Sequence, residues 1–339
     1  MSSDGSMSLK PIQPLKHIRV EPLACESLGV RSMCLYVETK DVKAILDPGV
    51  SLGPRFRRLP HPREYKALRE ARRRIRHYAS KAYVATVSHY HYDHITPPFE
   101  SDWVWTWSNR EECAAVYSGK LMLVKNIRRK INLSQRQRGW ILQKFTREIA
   151  ERIEVCDGKT FEFGDTVFKF SRPVPHGEEG SALGWVLMVT VESRGEKLLY
   201  CSDVQGPISS RTLELILSEK PDMIVVGGPP LYLAGFRVRK ESIEKGLENL
   251  AKLVSETRVT VVDHHLLRDR GWREAARHAF SEAARRGNML YTAAGFLGLK
   301  ESLLEAYRAE LYEKEPPSRE FIRWTRLPAD KRRRVEPPI

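Results

Sequence analysis

The feature that most constrains this chain is an apolar run that ends in a knot of metal-binding side chains. In "AYVATVSHYHYDHITPP" the segment Ala82–Val87 is mostly apolar, as a strand covered on both faces would be. His89, His91, Asp93 and His94 follow at once, in a chain with only ten histidines. Residues two apart at a strand end leave on the same face, so His89 and His91 point together. Asp93 and His94 lie in the turn that follows, which Pro97 and Pro98 close. Three imidazoles packed against a carboxylate are costly in a protein interior unless something compensates. A divalent cation does so: imidazole nitrogen and carboxylate oxygen suit zinc, and also iron or manganese. A surface histidine cluster in a loop is the alternative, and the apolar strand leading into the cluster favours metal.

The rest of the chain reads as strands separated by amphipathic helices. "VRSMCLYVET" and "KAILDP" form an antiparallel pair joined around Lys40–Asp41. Later strands are "TVFKFSRPVP", "GWVLMVTVES", "KLLYCSD", "DMIVVGG", "RVTVVDHH" and "NMLYTAAG". Helices are expected over Arg63–Lys81, Ser134–Ile153 with Ser134 as N-cap, Ser242–Ser255 and Trp272–Arg286. Strands first, then strand and helix in alternation, point to an α/β chain built as an αββα sandwich. Residues 1–16 read as a flexible leader, 17–312 as a single domain, and 313–339 as a basic, poorly packed extension. Trp103, Trp105 and Trp107 alternate as one face of a strand would. The five cysteines form no CxxC pair, which argues for a reducing, cytoplasmic setting without a disulfide framework. No apolar run approaches the ~20 residues of a membrane span.

His89, His91, Asp93 and His94 match the HxHxDH signature of the metallo-β-lactamase superfamily. The phrase "SHYHYDHITP" resembles an uncharacterised, mainly archaeal branch of hydrolases, and the resemblance extends from about Glu21 to about Gly298. It implies a metallo-β-lactamase-like fold with further site residues at strand ends, in a fixed order. Asp47, in "KAILDPG", would order the metal loop without binding metal. His176, in "PVPHGEEG", would join His89 and His91 around one ion. Asp93, His94 and one of His264 or His265 would hold a second ion, with Asp203 of "YCSDVQG" bridging the two. Being adjacent, His264 and His265 should point to opposite sides, so only one is expected to ligate. His264 is favoured, because its spacing to Arg268 looks like that in RNA-processing members. Asp263 would then support or pack, and Cys201 reads as buried core. His17, His61, His77 and His278 lack such context and read as surface residues. The implied cofactors are two divalent ions, zinc first, with iron or manganese as alternatives. They would ionise a water between them, with Asp93 orienting it or carrying its proton.

Substrate is a separate matter, because one fold serves many chemistries. The chain is basic, at +14, and the charge is local. Arg55–Lys81 holds eleven Lys or Arg against two Glu, and Lys120–Arg152 holds ten against two. Such surfaces suit an anionic substrate, nucleic acid included, with Arg72, Arg73, Arg74 and Arg268 as candidate anion contacts. Solvated helix faces explain the same charge. Three functions are therefore carried forward. The first is a metal-dependent phosphodiester hydrolase. The second is a hydrolase of a small anionic lactone, ester or thioester. The third is a nucleic-acid or ribosome binder with a structural metal site.

Overall fold

The structure, a computed structural model, describes residues 12–101 and 105–339. Six strands form the first sheet in chain order: β1 (Arg19–Cys25), β2 (Met33–Glu38), β3 (Lys43–Leu46), β4 (Val84–Val87), β5 (Leu121–Val124) and β6 (Arg152–Val155). The first three pair antiparallel; β3 to β6 pair parallel. The second sheet is built from β7 (Thr160–Phe163) and β8 (Thr166–Phe170), then, beyond the small hairpin of β9 (Val174–Pro175) and β10 (Trp185–Val186), from β11 (Val189–Ser193), β12 (Glu196–Ser202), β13 (Met223–Gly227), β14 (Val259–Asp263) and β15 (Met289–Tyr291). Its order is β15-β14-β13-β12-β11-β8-β7, antiparallel up to β12 and parallel from there on.

Parallel neighbours need long crossovers, and helices supply them. They are α1 (Pro62–Ala79), α2 (Arg110–Tyr117) and α3 (Leu133–Thr146) on the first sheet, and α4 (Ser210–Ser218) and α5 (Lys240–Glu256) on the second. Side chains alternate across each strand, so each sheet has two apolar faces to bury. Leu35, Leu46 and Leu123 meet Phe168, Leu198 and Val225 between the sheets. Ile45 and Ala85 face outward onto Leu68 and Ile75 of α1, and Ile224 and Val226 onto Ile216 of α4 and Leu250 of α5. The result is an αββα sandwich. Full burial of one such aliphatic side chain stabilises by roughly 1.5–3 kcal/mol. No helix among the described residues is long and apolar enough to cross a membrane. All five cysteines are buried and unbonded.

Several local expectations need correction. Helix α3 starts one residue early, because the Asn132 side chain, not Ser134, accepts from the backbone at Gln135. It ends at Thr146, and Ile153 belongs to β6, so its four-residue spacing continued past the helix by coincidence. Trp272–Arg286 is two short helices, Trp272–Ala275 and Arg277–Arg286. His61 is buried; its ring accepts from the Arg63 backbone while Glu64 takes the His61 N–H, a reciprocal cap on α1. The basic tail is not loose. Phe321 and Trp324 of helix Arg319–Thr325 are buried beneath α1, with the Tyr65 ring 5.4 Å from Trp324. Residues 1–11 of the expected leader lie outside the described residues, whereas Leu15 is buried between the sheets. Trp103 also lies outside them; Trp105 joins Leu52 in an isolated bridge and packs with Trp107 on the first sheet's outer core.

Candidate metal centre

The parallel strands β3, β4, β12 and β14 bring their carboxyl ends together, which is where open α/β sheets place their sites. Three residues at these ends take the left-handed conformation without being glycine: Asp47 at φ 47°, Ser202 at φ 54° and His264 at φ 64°. Each costs on the order of 1 kcal/mol or more, so the surroundings must hold it in place. The Asp47 carboxylate does much of the holding. It accepts from Ser88 N at 2.7 Å, His94 Nδ1 at 2.9 Å, Tyr200 Oη at 2.9 Å and Ser202 Oγ at 3.2 Å, and from Ser88 Oγ. With Nδ1 donating to Asp47, the His94 ring turns a bare Nε2 inward. Gly49, two residues on, admits no side chain: a Cβ there would lie 2.0 Å from Ile95 N and 2.3 Å from His94 C. The Asp-Pro-Gly turn is thus pressed against the backbone of the histidine loop.

Donor atoms from distant parts of the chain converge here. His89, His91, His176 and Asp203 bring one donor atom each to within 4.8 Å of one another, as do Asp93, His94 and His264. Asp203, His264 and His265 form a third such group, so Asp203 touches both sides. His89 Nε2 and His91 Nδ1 are 3.1 Å apart, and His176 Nε2 is 2.9 Å from Asp203 Oδ2. Buried polar atoms are nearly always paired. Yet His94 Nε2, His176 Nε2, Asp203 Oδ1 and His264 Nε2 are buried without a well-formed hydrogen bond, close as His176 and His264 come to Asp203 Oδ2. Four such orphans facing one another fit divalent cations in chemistry and in number of donors.

The electrostatics suit the same use. Burial, with neighbouring imidazoles, holds His89 and His91 well below the ordinary histidine range, and burial lowers His265 and brings His264 down to about 3. These rings are neutral at pH 7, the form that binds metal. Burial pushes the Asp203 carboxyl up, but His176, His265 and His264 outweigh it and hold it well below the usual carboxylate range. Asp93 is held low in the same way, against burial, by His94, His264 and Arg268.

The adjacent histidines do not diverge as a strand would make them. Strand β14 ends at Asp263, and the positive φ of His264 turns the chain into a short 3-10 segment. Both rings therefore reach Asp203 Oδ2, His264 Nε2 at 3.4 Å and His265 Nε2 at 3.0 Å. They differ in their other contacts: His265 Nδ1 is 2.9 Å from the Tyr232 hydroxyl, whereas His264 Nε2 also faces Asp93 at 3.6 Å. Asp263 lies beneath. Its carboxylate accepts from the backbone of Ser27, His264 and Ala293, tying β14 to two neighbouring segments.

Of the candidate anion contacts, only Arg268 stands at the site. It is buried, bonds Glu26 and the Tyr232 hydroxyl at 3.1 Å, and reaches Asp93 Oδ2 at 3.5 Å. Arg72 is instead a buried strut, bonded to Thr106 O at 2.8 Å and Glu112 at 2.5 Å. Arg73 pairs with Glu70 on the surface, and Arg74 is half-buried on α1. Their helix covers the outer face of the first sheet, so a cluster of arginines in sequence is no guide to the side it serves. Sequence reasoning missed Glu26, Gln135, Tyr232 and the Ser88–Ser202 pair. These are common residue types at unremarkable spacing, and only Ser88, beside His89, carried a positional hint.

The sandwich of two mixed sheets, with HxHxDH at the end of a first-sheet strand and partner residues at second-sheet strand ends, is the arrangement that the resemblance to the metallo-β-lactamase class implies. Among solved structures, the metallo-β-lactamase fold protein YhfI from Bacillus subtilis aligns with a TM-score of 0.48 and 11% identity, over 81% of this chain and 96% of that one. No family model matches the sequence. The chain belongs to the UPF0282 family. It is 43% identical over 300 residues to the UPF0282 protein of Thermococcus gammatolerans, covering 88% of this chain and 96% of the relative. The Methanopyrus kandleri protein MK0213 is 44% identical over 299 residues, covering 88% of this chain and all of its own length, 100%.

Proposed function

We propose that this protein is a metal-dependent hydrolase acting on phosphodiesters, with nucleic acid among the candidate substrates. The observation that carries the reading is the ring of buried, unpartnered donor atoms around Asp203. In this reading His89, His91 and His176 hold one divalent ion, and Asp93, His94 and His264 hold the other. Asp203 serves both. His264 is preferred to His265 because its Nε2 faces Asp93 as well as Asp203, whereas His265 turns its other nitrogen to the Tyr232 hydroxyl. Such ions, when bound, would make hydroxide available near neutral pH and polarise the substrate's phosphoryl oxygen.

The chain's own residues do the rest. Asp47 and Ser88 fix the His94 ring and the turn that carries His89. Asp93, kept ionised, orients the attacking water. Arg268 reaches, at 3.5 Å, the same Asp93 Oδ2 that faces His264 Nε2, and so steadies that carboxylate. Gln135 closes one wall, its amide 2.7 Å from Leu183 O and 3.5 Å from His91 Nε2.

The test is turnover of bis(p-nitrophenyl) phosphate by protein loaded in turn with zinc, manganese and iron. His91→Ala and Asp203→Ala should each lower kcat by at least 100-fold, on the order expected when a whole metal centre is lost. No turnover with any of the three metals would overturn the proposal.

A further inference from the structure

We infer that Arg138, on the face of α3 that looks onto the histidine loop, is the anchor for the anionic group of the substrate. The inference rests on the hydrolase reading for the word substrate, but the anion site itself stands on separate observations.

The first concerns placement. Asn132 caps α3 and bonds the carbonyls of Ala182 and Leu183 at 2.9 Å, in the loop that follows His176. Gln135 accepts from the Tyr90 backbone at 3.2 Å and approaches His91. The helix thus bridges two of the loops that carry candidate ligands. It also sits unusually close. A Cβ on Gly139 would lie 2.6 Å from Ile127 and 2.9 Å from the Tyr90 ring, so only glycine allows this seating. Residues three and four apart share a helix face, and Gln135, Arg138 and Gly139 therefore look the same way. The Arg138 guanidinium lies 4.4 Å from the Tyr92 ring centre, and Tyr92 stands between His91 and Asp93.

The second observation concerns pairing. Four of the more enclosed arginines meet a carboxylate, Arg31 with Glu305, Arg72 with Glu112, Arg268 with Glu26 and Arg308 with Glu64, whereas Arg74 on α1, half-buried like Arg138, forms no ion pair among the described residues. Arg138 is half-buried and has no hydrogen bond or ion pair among the described residues. Five N–H donors in a planar fork are left with only an aromatic face for company. A cation stacked on Tyr92 beside the histidine loop, without a counter-charge, is an open place for an oxyanion. The guanidinium fork matches two oxygens of a phosphoryl group, which makes that group the favoured ligand over a single carboxylate oxygen.

The experiment uses full-length, zinc-loaded protein and the variants Arg138→Ala and Arg138→Lys. Inorganic phosphate binding is measured by calorimetry. Turnover is measured with bis(p-nitrophenyl) phosphate and with the neutral ester p-nitrophenyl acetate. Arg138→Ala should weaken phosphate binding and raise KM for the phosphodiester by about 10- to 100-fold, the usual worth of a hydrogen-bonded charge. kcat should stay within about threefold, as for a contact equal in ground and transition states. Zinc content and neutral-ester turnover should be unchanged, and Lys should restore part of the affinity. Unaltered phosphate binding in Arg138→Ala would sink the inference. So would an equal loss of neutral-ester turnover or of zinc, because Arg138 would then be a structural prop. Absence of turnover in the parent protein would defeat the hydrolase reading alone, since phosphate binding still reports on Arg138.

Discussion

Asp47 shows how much a residue can matter without facing the cavity. Five donors from two strand ends meet on its carboxylate. Asp47→Ala leaves them unpaired in the interior, which should cost about 3 kcal/mol or more. It should also weaken zinc binding by roughly 10- to 100-fold, because His94 loses the partner that sets its tautomer. Denaturant unfolding and a competitive zinc titration read the two effects separately. Retention of full zinc affinity would mean that His94 is oriented by packing alone. At this scale the sequence was informative where residues are rare. The histidines, Asp93 and Asp203 could be singled out, and the chain brings all of them to one place. The hydrogen-bonding partners were not legible. Serine, tyrosine and glutamate occur everywhere, and nothing in the order of residues says that Ser88 and Ser202 lie 2.7 Å apart. The direction of His264 and His265 was misread for a single reason: a strand's two-residue period does not survive a left-handed residue at its end.

Elements were legible where their periodicity is clean. The apolar runs of β4, β13 and β14 are buried throughout, as their composition requires. Ends were less so, because caps are local side-chain bonds: Asn132 at α3 and His61 at α1 each compete with neighbours of similar type. The contact between α1 and helix Arg308–Lys314 was invisible in sequence, since it joins residues 244 positions apart. There Arg308 and Glu64, both fully buried, form two bonds of 2.7 and 2.8 Å. Removing one partner strands the other charge, so Arg308→Met should destabilise by about 3–5 kcal/mol. The double variant Arg308→Met/Glu64→Gln should recover a substantial part of that loss in denaturant melts. Additive losses would show that the pair is not coupled.

The whole molecule should respond to pH and to metal through the same cluster. His89, His91, His264 and His265 are neutral when folded, their pKa values lowered chiefly by burial. In the unfolded chain they take up protons below about pH 6.5. The unfolded state then binds more protons, so stability is lost as pH falls from about 6.5 towards 3. His94, which Asp47 raises against the effect of burial, and Glu26, Glu64, Glu100 and Asp263, all pushed up by burial, act in the opposite sense, while Asp93, Asp203 and Glu305, held low by neighbouring positive charge, add to the loss at the acid end. For metal-free protein the denaturation midpoint should decline between pH 7 and pH 4; a level profile would contradict neutral, buried rings. Zinc at pH 7 should raise the melting temperature and a chelator reverse it, because a ligand of the folded state alone stabilises it by mass action. An unchanged melting temperature at saturating zinc would exclude tight binding to the native fold.

The outer cover of the first sheet is completed by Phe321 and Trp324, some 250 positions after Tyr65, which they pack against. Synthesis runs in one direction, so α1 must wait with part of its apolar face uncovered while the intervening residues are made. Shortening the polypeptide ahead of Ser318 would therefore reopen the cover of α1 rather than trim a dispensable appendage.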